Sequence, residues 1–120
     1  MKGTTMINGL QFIIRHVDDV DAARAFYTEK LGFEVAAEQP GFVQFAAPNG
    51  ANFAIARNTN DPYEQPLELW WHVDNADAAH AELVAKGVEI AFPPKDEPFG
   101  RAFAVKDPVA GDLRYMFQPR

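Results

Sequence analysis

The sequence contains no cysteine and no serine. Without cysteine the protein has no disulfide, no thiolate nucleophile and no Cys-ligated zinc, and without serine it has no Ser-His-Asp triad. No stretch approaches the roughly 18 consecutive apolar residues of a membrane-spanning helix, and residues 1–9 lack the apolar segment of a secretory signal peptide. These absences predict a cytoplasmic protein that does not bind membranes.

Positive charge is also scarce, since 11 Lys and Arg residues face 17 Asp and Glu residues and give a net charge of −6. Such a charge repels nucleic acids and anionic membranes, so neither is expected as a partner. The 48% hydrophobic and 23% charged content is typical of globular proteins. A chain of 120 residues is long enough for one domain, which we expect to span residues 1–120.

An internal repeat organises the chain. Residues 16–25 align with residues 72–81, and seven of the ten pairs are identical. The similarity continues through Lys30-Leu31-Gly32 and Ala85-Lys86-Gly87, and more loosely through residues 45–50 and 103–111. Two halves of about 55 residues are too long and too few for a solenoid, so the repeat predicts two similar modules.

Each half predicts the same order of elements, a strand followed by a helix and three more strands, which is an α+β fold. An acidic residue begins each helix as a cap, apolar residues recur at helical spacing, and a glycine ends the helix. A loop is expected at 93–100, because its prolines argue against a strand. The predicted strands are 10–17, 33–38, 42–47, 52–57, 67–74, 88–92, 101–106 and 113–118, with helices at about 19–31 and 75–86.

Several short motifs, in their order and spacing, resemble those of the vicinal oxygen chelate superfamily, which includes glyoxalase I, extradiol dioxygenases and bleomycin-resistance proteins. The motifs are residues 19–27 followed by 31–33, residues 79–83 with 87–90, and residues 98–101 leading to Asp107-Pro108 and Gly111. The resemblance implies two tandem βαβββ modules that form a cup-shaped mixed sheet with the helices outside. It places module one at about 8–57, a linker at 58–66 and module two at about 67–118, and it implies a homodimer.

Metal enzymes of this family bind a divalent ion through the first and last strands of each module. The resemblance places those four positions on Phe12, Ala54, Glu68 and Tyr115, of which only Glu68 is a usual ligand. A divalent ion needs three or more protein donors, so we predict no metal and no cofactor.

Two histidines near the ends of the first strands are candidates to replace the missing ligands of a divalent ion. On a strand, Glu68 and His72 lie roughly 13 Å apart, which is too far to share an ion. His16 occupies the equivalent place in its own strand and meets the same objection. We interpret both histidines as strand-end residues bonded to the acids that cap the helices.

Alternation along the first strand of each module predicts that aromatic residues and one carboxylate share the cup. Aromatic walls around a carboxylate suit a flat, cationic ligand through stacking and cation–π contacts. The expected function is therefore metal-free binding or sequestration of a small molecule, as in the bleomycin-resistance proteins that the chain resembles. The predicted ligand-binding residues are Phe12, Ile14, Ala54, Glu68, Trp70, Phe99, Arg101 and Tyr115.

Two alternatives remain open. One is a glyoxalase-type lyase, isomerase or dioxygenase with a divalent metal at a displaced site or with none, in which Glu68, His72 or His16 acts as the catalytic base. The other is a structural or regulatory dimer whose cup is filled by its own side chains.

Overall fold

A computed structural model describes residues 7–120. The chain forms two compact units, one made of residues 12–68 and the other of residues 7–11 with 69–120. The strands are β1 (Ile7–Val17), β2 (Val35–Gln39), β3 (Phe42–Phe45), β4 (Asn52–Arg57), β5 (Leu67–Val73), β6 (Ile90–Glu97), β7 (Gly100–Lys106) and β8 (Leu113–Pro119), and the helices are α1 (Val20–Ala25) and α2 (Ala76–Ala85).

In the unit of residues 12–68 the strands lie in the order β2-β3-β4-β1. The β2-β3-β4 meander is antiparallel, whereas β1 and β4 are parallel, with Phe12 opposite Asn52 and Val17 opposite Arg57. Val43, Phe45 and Ile55 form the buried core, against which α1 packs through Val20 and Ala23. The helix is the crossover that a parallel pair of strands requires.

The first helix is shorter than the sequence predicts. The side chain of Asp19 caps it by accepting from the Ala22 N–H, and at Phe26 the helix changes to a π-helical turn, Phe26–Lys30. Within that turn the Thr28 hydroxyl donates to the Arg24 carbonyl oxygen at 2.8 Å. This bond competes with the helical ladder, as threonine hydroxyls inside helices do.

In the other unit the order is β5-β8-β7-β6, with β5 and β8 parallel and the rest antiparallel. The Asn75 side chain caps α2 by accepting from the Ala78 N–H. The helix packs through Ala76 and Ala79 on a core that includes Val73 and Phe103. Small alanines on the buried side of α2 let the helix approach the sheet closely.

The expected loop at 93–100 is wrong, because β6 continues to Glu97 and a short turn leads directly into β7. The β6-β7 register shifts between Ile90 and Phe92 and again between Phe92 and Lys95, around Pro93 and Pro94. Pairing with β7 alone leaves the other side of β6 without a partner strand within its unit. Prolines are compatible with bulges and edge strands, since their missing N–H is not required there.

The predicted α+β class with two βαβββ modules is confirmed. Six of the eight predicted strands match within about two residues at each end, and β4 matches fully. Neither described helix has the length and apolar character needed to cross a membrane.

Gly100 gives a test of the β7-β8 pairing. Its φ is +153°, and an added Cβ would lie 2.1 Å from the carbonyl oxygen of Gln118. We expect Gly100→Ala to lower the free energy of unfolding by more than about 2 kcal/mol, because both the backbone angle and the neighbouring strand oppose the new methyl group.

The matched control is Gly111→Ala, at φ +84° with no atom within 4 Å of the added Cβ. Gly111→Ala should lower the free energy of unfolding by only about 1 kcal/mol, the penalty of the left-handed conformation alone. Urea denaturation of both variants measures the difference, and equal losses would contradict the close approach at Gly100.

Candidate functional site

His16, near the end of β1, lies between two carboxylates. Its Nε2 is 3.1 Å from Oε2 of Glu68, and its Nδ1 is 3.3 Å from Oε1 of Glu64. The imidazole side chain is 10% exposed, and Glu68 is the only buried charged residue among residues 7–120. The cluster therefore concentrates three ionisable groups at the point where the linker enters β5.

Backbone hydrogen bonds hold the cluster together. The His16 N–H donates to the Pro66 carbonyl oxygen at 2.9 Å, and the Gln65 N–H donates to Oε2 of Glu68 at 3.1 Å. The Arg57 carbonyl oxygen also lies 3.4 Å from Nδ1 of His16. The end of β1, the end of β4 and the linker thus converge on one imidazole ring.

Glu64 closes a small loop in the linker. Thr59 donates to its carboxylate through the backbone N–H, at 3.0 Å, and through the hydroxyl, at 2.6 Å. Burial opposes ionisation of this carboxyl, but the hydrogen bonds from Thr59 and the neighbouring His16 outweigh it and lower the pKa of Glu64. Glu64 is therefore held as a carboxylate that faces His16.

The sequence did not predict this cluster. Strand spacing separates Glu68 from His72 and predicts no contact of Glu68 with His16, but the linker turns back beside β1 and brings Glu64 and Glu68 to the ring. The interpretation of His16 as a partner of the helix-capping acids is also wrong, since its carboxylate contacts are Glu64 and Glu68. The acidic residues of the linker were the available signal, but the sequence alone did not predict the path of the linker.

His72, the repeat equivalent of His16, has different surroundings. Nδ2 of Asn8 lies 3.0 Å from its Nδ1, and the same amide donates to Asp74 at 2.7 Å. In the first module, Asn58 likewise donates to Asp18, the repeat equivalent of Asp74. The repeats thus share an Asn–Asp contact after the strand, while only His16 lies between carboxylates.

The unit of residues 7–11 with 69–120 contains a cluster of aromatic side chains. The rings of Trp70 and Tyr115 are stacked, with centroids 4.7 Å apart and an angle of 12°. Phe99 meets Trp70 edge to face at 5.5 Å and Phe117 at 5.9 Å. Tyr115 and Phe117 are buried, whereas Phe99 is 47% exposed and Trp70 is partly exposed. The cluster therefore presents partly exposed aromatic side chains that pack against buried ones.

The other predicted ligand-binding residues have varied surroundings. Ile14 and Ala54 are paired in the β1-β4 register, two residues along from Phe12 and Asn52, and Ala54 is fully buried. Arg101 does not join the aromatic cluster. Its guanidinium donates to Asp77 on α2 and to Asp96, all at 3.0 to 3.1 Å, and these bonds raise its pKa.

The four family metal positions do not provide a ligand set. Phe12 and Ala54 have no donor atom, and Tyr115 is a buried phenol stacked on Trp70. Glu68 is a suitable ligand, but its carboxylate lies against His16 and Gln65. His16 cannot complete a site, because the two carboxylates lie at opposite ring nitrogens and do not converge on one point. Residues 7–120 contain no group of three His, Asp or Glu side chains that could hold a metal.

A cleft of about 780 Å³ lies elsewhere in the unit of residues 12–68, between the start of α1 and the β2-β3 turn. Arg24 spans it by donating to both carboxylate oxygens of Glu38, at 3.0 and 3.1 Å. The Arg57 guanidinium lies against Gly41, where an added Cβ would be 2.7 Å away. Its charged lining is Asp18, Asp19, Asp21, Arg24, Glu38 and Arg57. No pattern in the sequence predicted this cleft.

A sequence model of the Glyoxalase/Bleomycin resistance protein/Dioxygenase superfamily matches residues 9–111. The chain belongs to this superfamily, as the motifs suggested. A search of curated proteins found no significant match.

Solved structures share the fold at low sequence identity. Methylmalonyl-CoA epimerase from Mycobacterium tuberculosis is 20% identical, with a TM-score of 0.78 over 100% of this chain and 93% of that one. A Legionella pneumophila structure described as an NAD-dependent benzaldehyde dehydrogenase is 21% identical, with a TM-score of 0.77 over 91% and 98%. A superfamily member from Vibrio splendidus 12B01 is 20% identical, with a TM-score of 0.71 over 91% and 98%. At these identities the similarity establishes the fold alone.

The pKa of Glu64 predicts how stability depends on pH. A carboxyl with a lowered pKa stabilises the fold at pH values above its ordinary value of 4.5, and this contribution is lost as the pH falls through the folded-state value. Glu64→Gln should therefore reduce the free energy of unfolding by about 1 kcal/mol at neutral pH. The deficit should disappear in acid.

Urea denaturation at neutral and acid pH measures this difference. Glu29→Gln is the matched control, because Glu29 is exposed on the π-helical turn. A deficit of Glu64→Gln that persists unchanged in acid would contradict the role of the carboxylate.

Proposed function

We propose that the protein binds a flat, aromatic small molecule without a metal ion, at the surface formed by Trp70 and Phe99. The observation that carries this proposal is the stacking of Trp70 on the buried Tyr115, beside a Phe99 ring that is 47% exposed. The ligand would be sequestered and not chemically changed, as in the bleomycin-resistance proteins of the superfamily.

The packing of other aromatic rings around the Trp70 indole favours recognition of a ligand by stacking. Tyr115 holds the indole from one side, and Phe99 and Phe117 contact it with ring edges at 5.5 and 6.0 Å. The indole is therefore fixed before a ligand arrives, which reduces the entropy lost on binding. Offset or edge-to-face contact with a ligand ring contributes about 0.5–1.5 kcal/mol per aromatic residue.

Charge favours a cationic aromatic ligand over an anionic one. The net charge of −6 attracts cations at long range. Aromatic faces also attract cations directly, and the protein already contains one such contact, with Nζ of Lys95 4.6 Å from the centre of the Phe92 ring.

The donor chemistry of the family metal positions supports binding without a metal. Of the four side chains, only Glu68 is a usual ligand for a divalent ion, and it is engaged by His16 and Gln65. The alternative, a metal-dependent lyase, isomerase or dioxygenase, would need ligands from elsewhere in the chain. A non-catalytic structural or regulatory dimer is the second alternative.

Substitution of the aromatic residues tests the binding site. Trp71→Phe leaves Trp70 as the sole tryptophan, so that quenching of its fluorescence by bleomycin or ethidium reports on the proposed surface. In this background Phe99→Ala should weaken binding about two- to tenfold, since one edge contact is lost.

Trp70→Ala should abolish binding measured by calorimetry, and Phe26→Ala, at an exposed aromatic residue of the other unit, should leave it unchanged. Undiminished binding by Trp70→Ala would exclude this surface as the site. No binding of any flat aromatic probe by the wild type would instead favour a structural or regulatory role.

Metal analysis separates the binder from the metal-dependent enzyme. Protein purified without chelators should contain far less than one equivalent of zinc, nickel, manganese or iron, because the family positions supply only one usual ligand. Elemental analysis by mass spectrometry measures the content. One equivalent of any of these metals that is lost in Glu68→Gln would favour the metal-dependent alternative.

A further inference from the structure

The hydrogen-bonding capacity of the His16 ring restricts its protonation state in this structure. Acceptor oxygens face both ring nitrogens, with Glu68 at Nε2 and with Glu64 and the Arg57 carbonyl at Nδ1. A neutral imidazole has one N–H and one lone pair. Either neutral tautomer would therefore place an unprotonated nitrogen 3.1 to 3.4 Å from an acceptor oxygen.

Burial makes this mismatch costly. The side chain of His16 is 10% exposed, and those of Glu64 and Glu68 are 15% and 7% exposed. The Nε2 atom also lacks a well-aligned hydrogen bond within residues 7–120, so its 3.1 Å approach to Glu68 is an attraction between charges only if the ring is protonated. An imidazolium makes the approaches of both carboxylates attractive and lets Nδ1 donate to the Arg57 carbonyl oxygen.

The two carboxylates are anchored differently. Glu68 lies in β5, and Oε2 of its carboxylate accepts from the Gln65 N–H. Glu64 belongs to the linker, where Thr59 bonds its carboxylate and the Glu64 N–H donates to the Asp61 carbonyl oxygen at 3.1 Å. If the ring loses a proton, the linker loop can move away as one piece, whereas Glu68 remains in its strand.

We propose that His16 is a proton-dependent latch that docks the linker loop, residues 58–66, against β1. The loop is docked when the ring is protonated and both carboxylates are ionised. Loss of the ring proton makes one of the two contacts between the ring and a carboxylate repulsive. The loop then separates from His16, together with Glu64. The charged neighbours of His16 along its own chain, Arg15 and Asp18, are exposed, so Glu64 and Glu68 are the charges that control the latch.

Amide hydrogen exchange of the wild-type protein tests the latch. The reporters are the N–H groups of His16, bonded to Pro66, and of Asn58, bonded to Val17, because both bonds join the loop to β1. After correction for intrinsic exchange, we expect their protection to fall about tenfold between about pH 5 and about pH 8, across the range in which histidine side chains lose their proton. Ile55 in the core of the same unit should show no such change.

Glu64→Gln distinguishes the latch from general loosening. A glutamine keeps an oxygen for Thr59 and supplies an N–H that can donate to Nδ1 of a neutral ring. In this variant the protection of the two reporter amides should therefore change less than about twofold over the same pH range. Glu29→Gln, exposed in the same unit, should behave like the wild type. His16→Asn should show low protection of the Asn58 amide throughout.

Three results would overturn the proposal. These are constant protection in the wild type, an alkaline loss of protection in Glu64→Gln equal to that of the wild type, and full protection of the Asn58 amide in His16→Asn. Nitrogen chemical shifts of the His16 ring give an independent measurement, since the docked state requires a proton on both ring nitrogens.

Discussion

Parallel pairing between the first and last strands of each module is the constraint on which the rest of the structure depends. In one unit β1 lies beside β4, and in the other β5 lies beside β8. A parallel pair cannot be closed by a tight turn, so a helix must cross over between the strands. The same pairing places Trp70 opposite Tyr115, where their rings stack. Topology therefore creates the aromatic surface proposed to bind ligand.

The two modules show how one backbone supports different chemistry. Each has a histidine and an aspartate at the end of its first strand, and an asparagine donates to each aspartate. His16 is nevertheless enclosed by Glu64 and Glu68, whereas His72 contacts Asn8. The difference comes from the linker, which follows the first module and supplies Glu64 beside His16. A connecting segment with no counterpart in the repeat thus gives one histidine an environment that the other lacks.

Glu68 illustrates how a superfamily position can acquire another role. It is the only metal-type ligand left among the four positions, and its carboxylate lies against His16 and the Gln65 N–H. A buried carboxylate without such a partner would be destabilising. His16 provides that partner, which connects the absence of a ligand set to the proton-dependent latch. The proposed surface for an aromatic ligand and the proposed latch of the linker therefore consist of different residues.

The sequence by itself determined the repeat, the α+β class, the starts of the two helices and most strands, because these follow from local periodicity and capping chemistry. It also identified Trp70 as a candidate, since alternation predicts which residues share a face, and the resemblance to the superfamily added Tyr115. Only the tertiary structure decided the extension of β6 through Pro93 and Pro94, the pairing of Arg101 with Asp77, and the position of His16 between Glu64 and Glu68. Those features depend on residues distant in sequence and on the path of the linker, which spacing along a single strand does not encode.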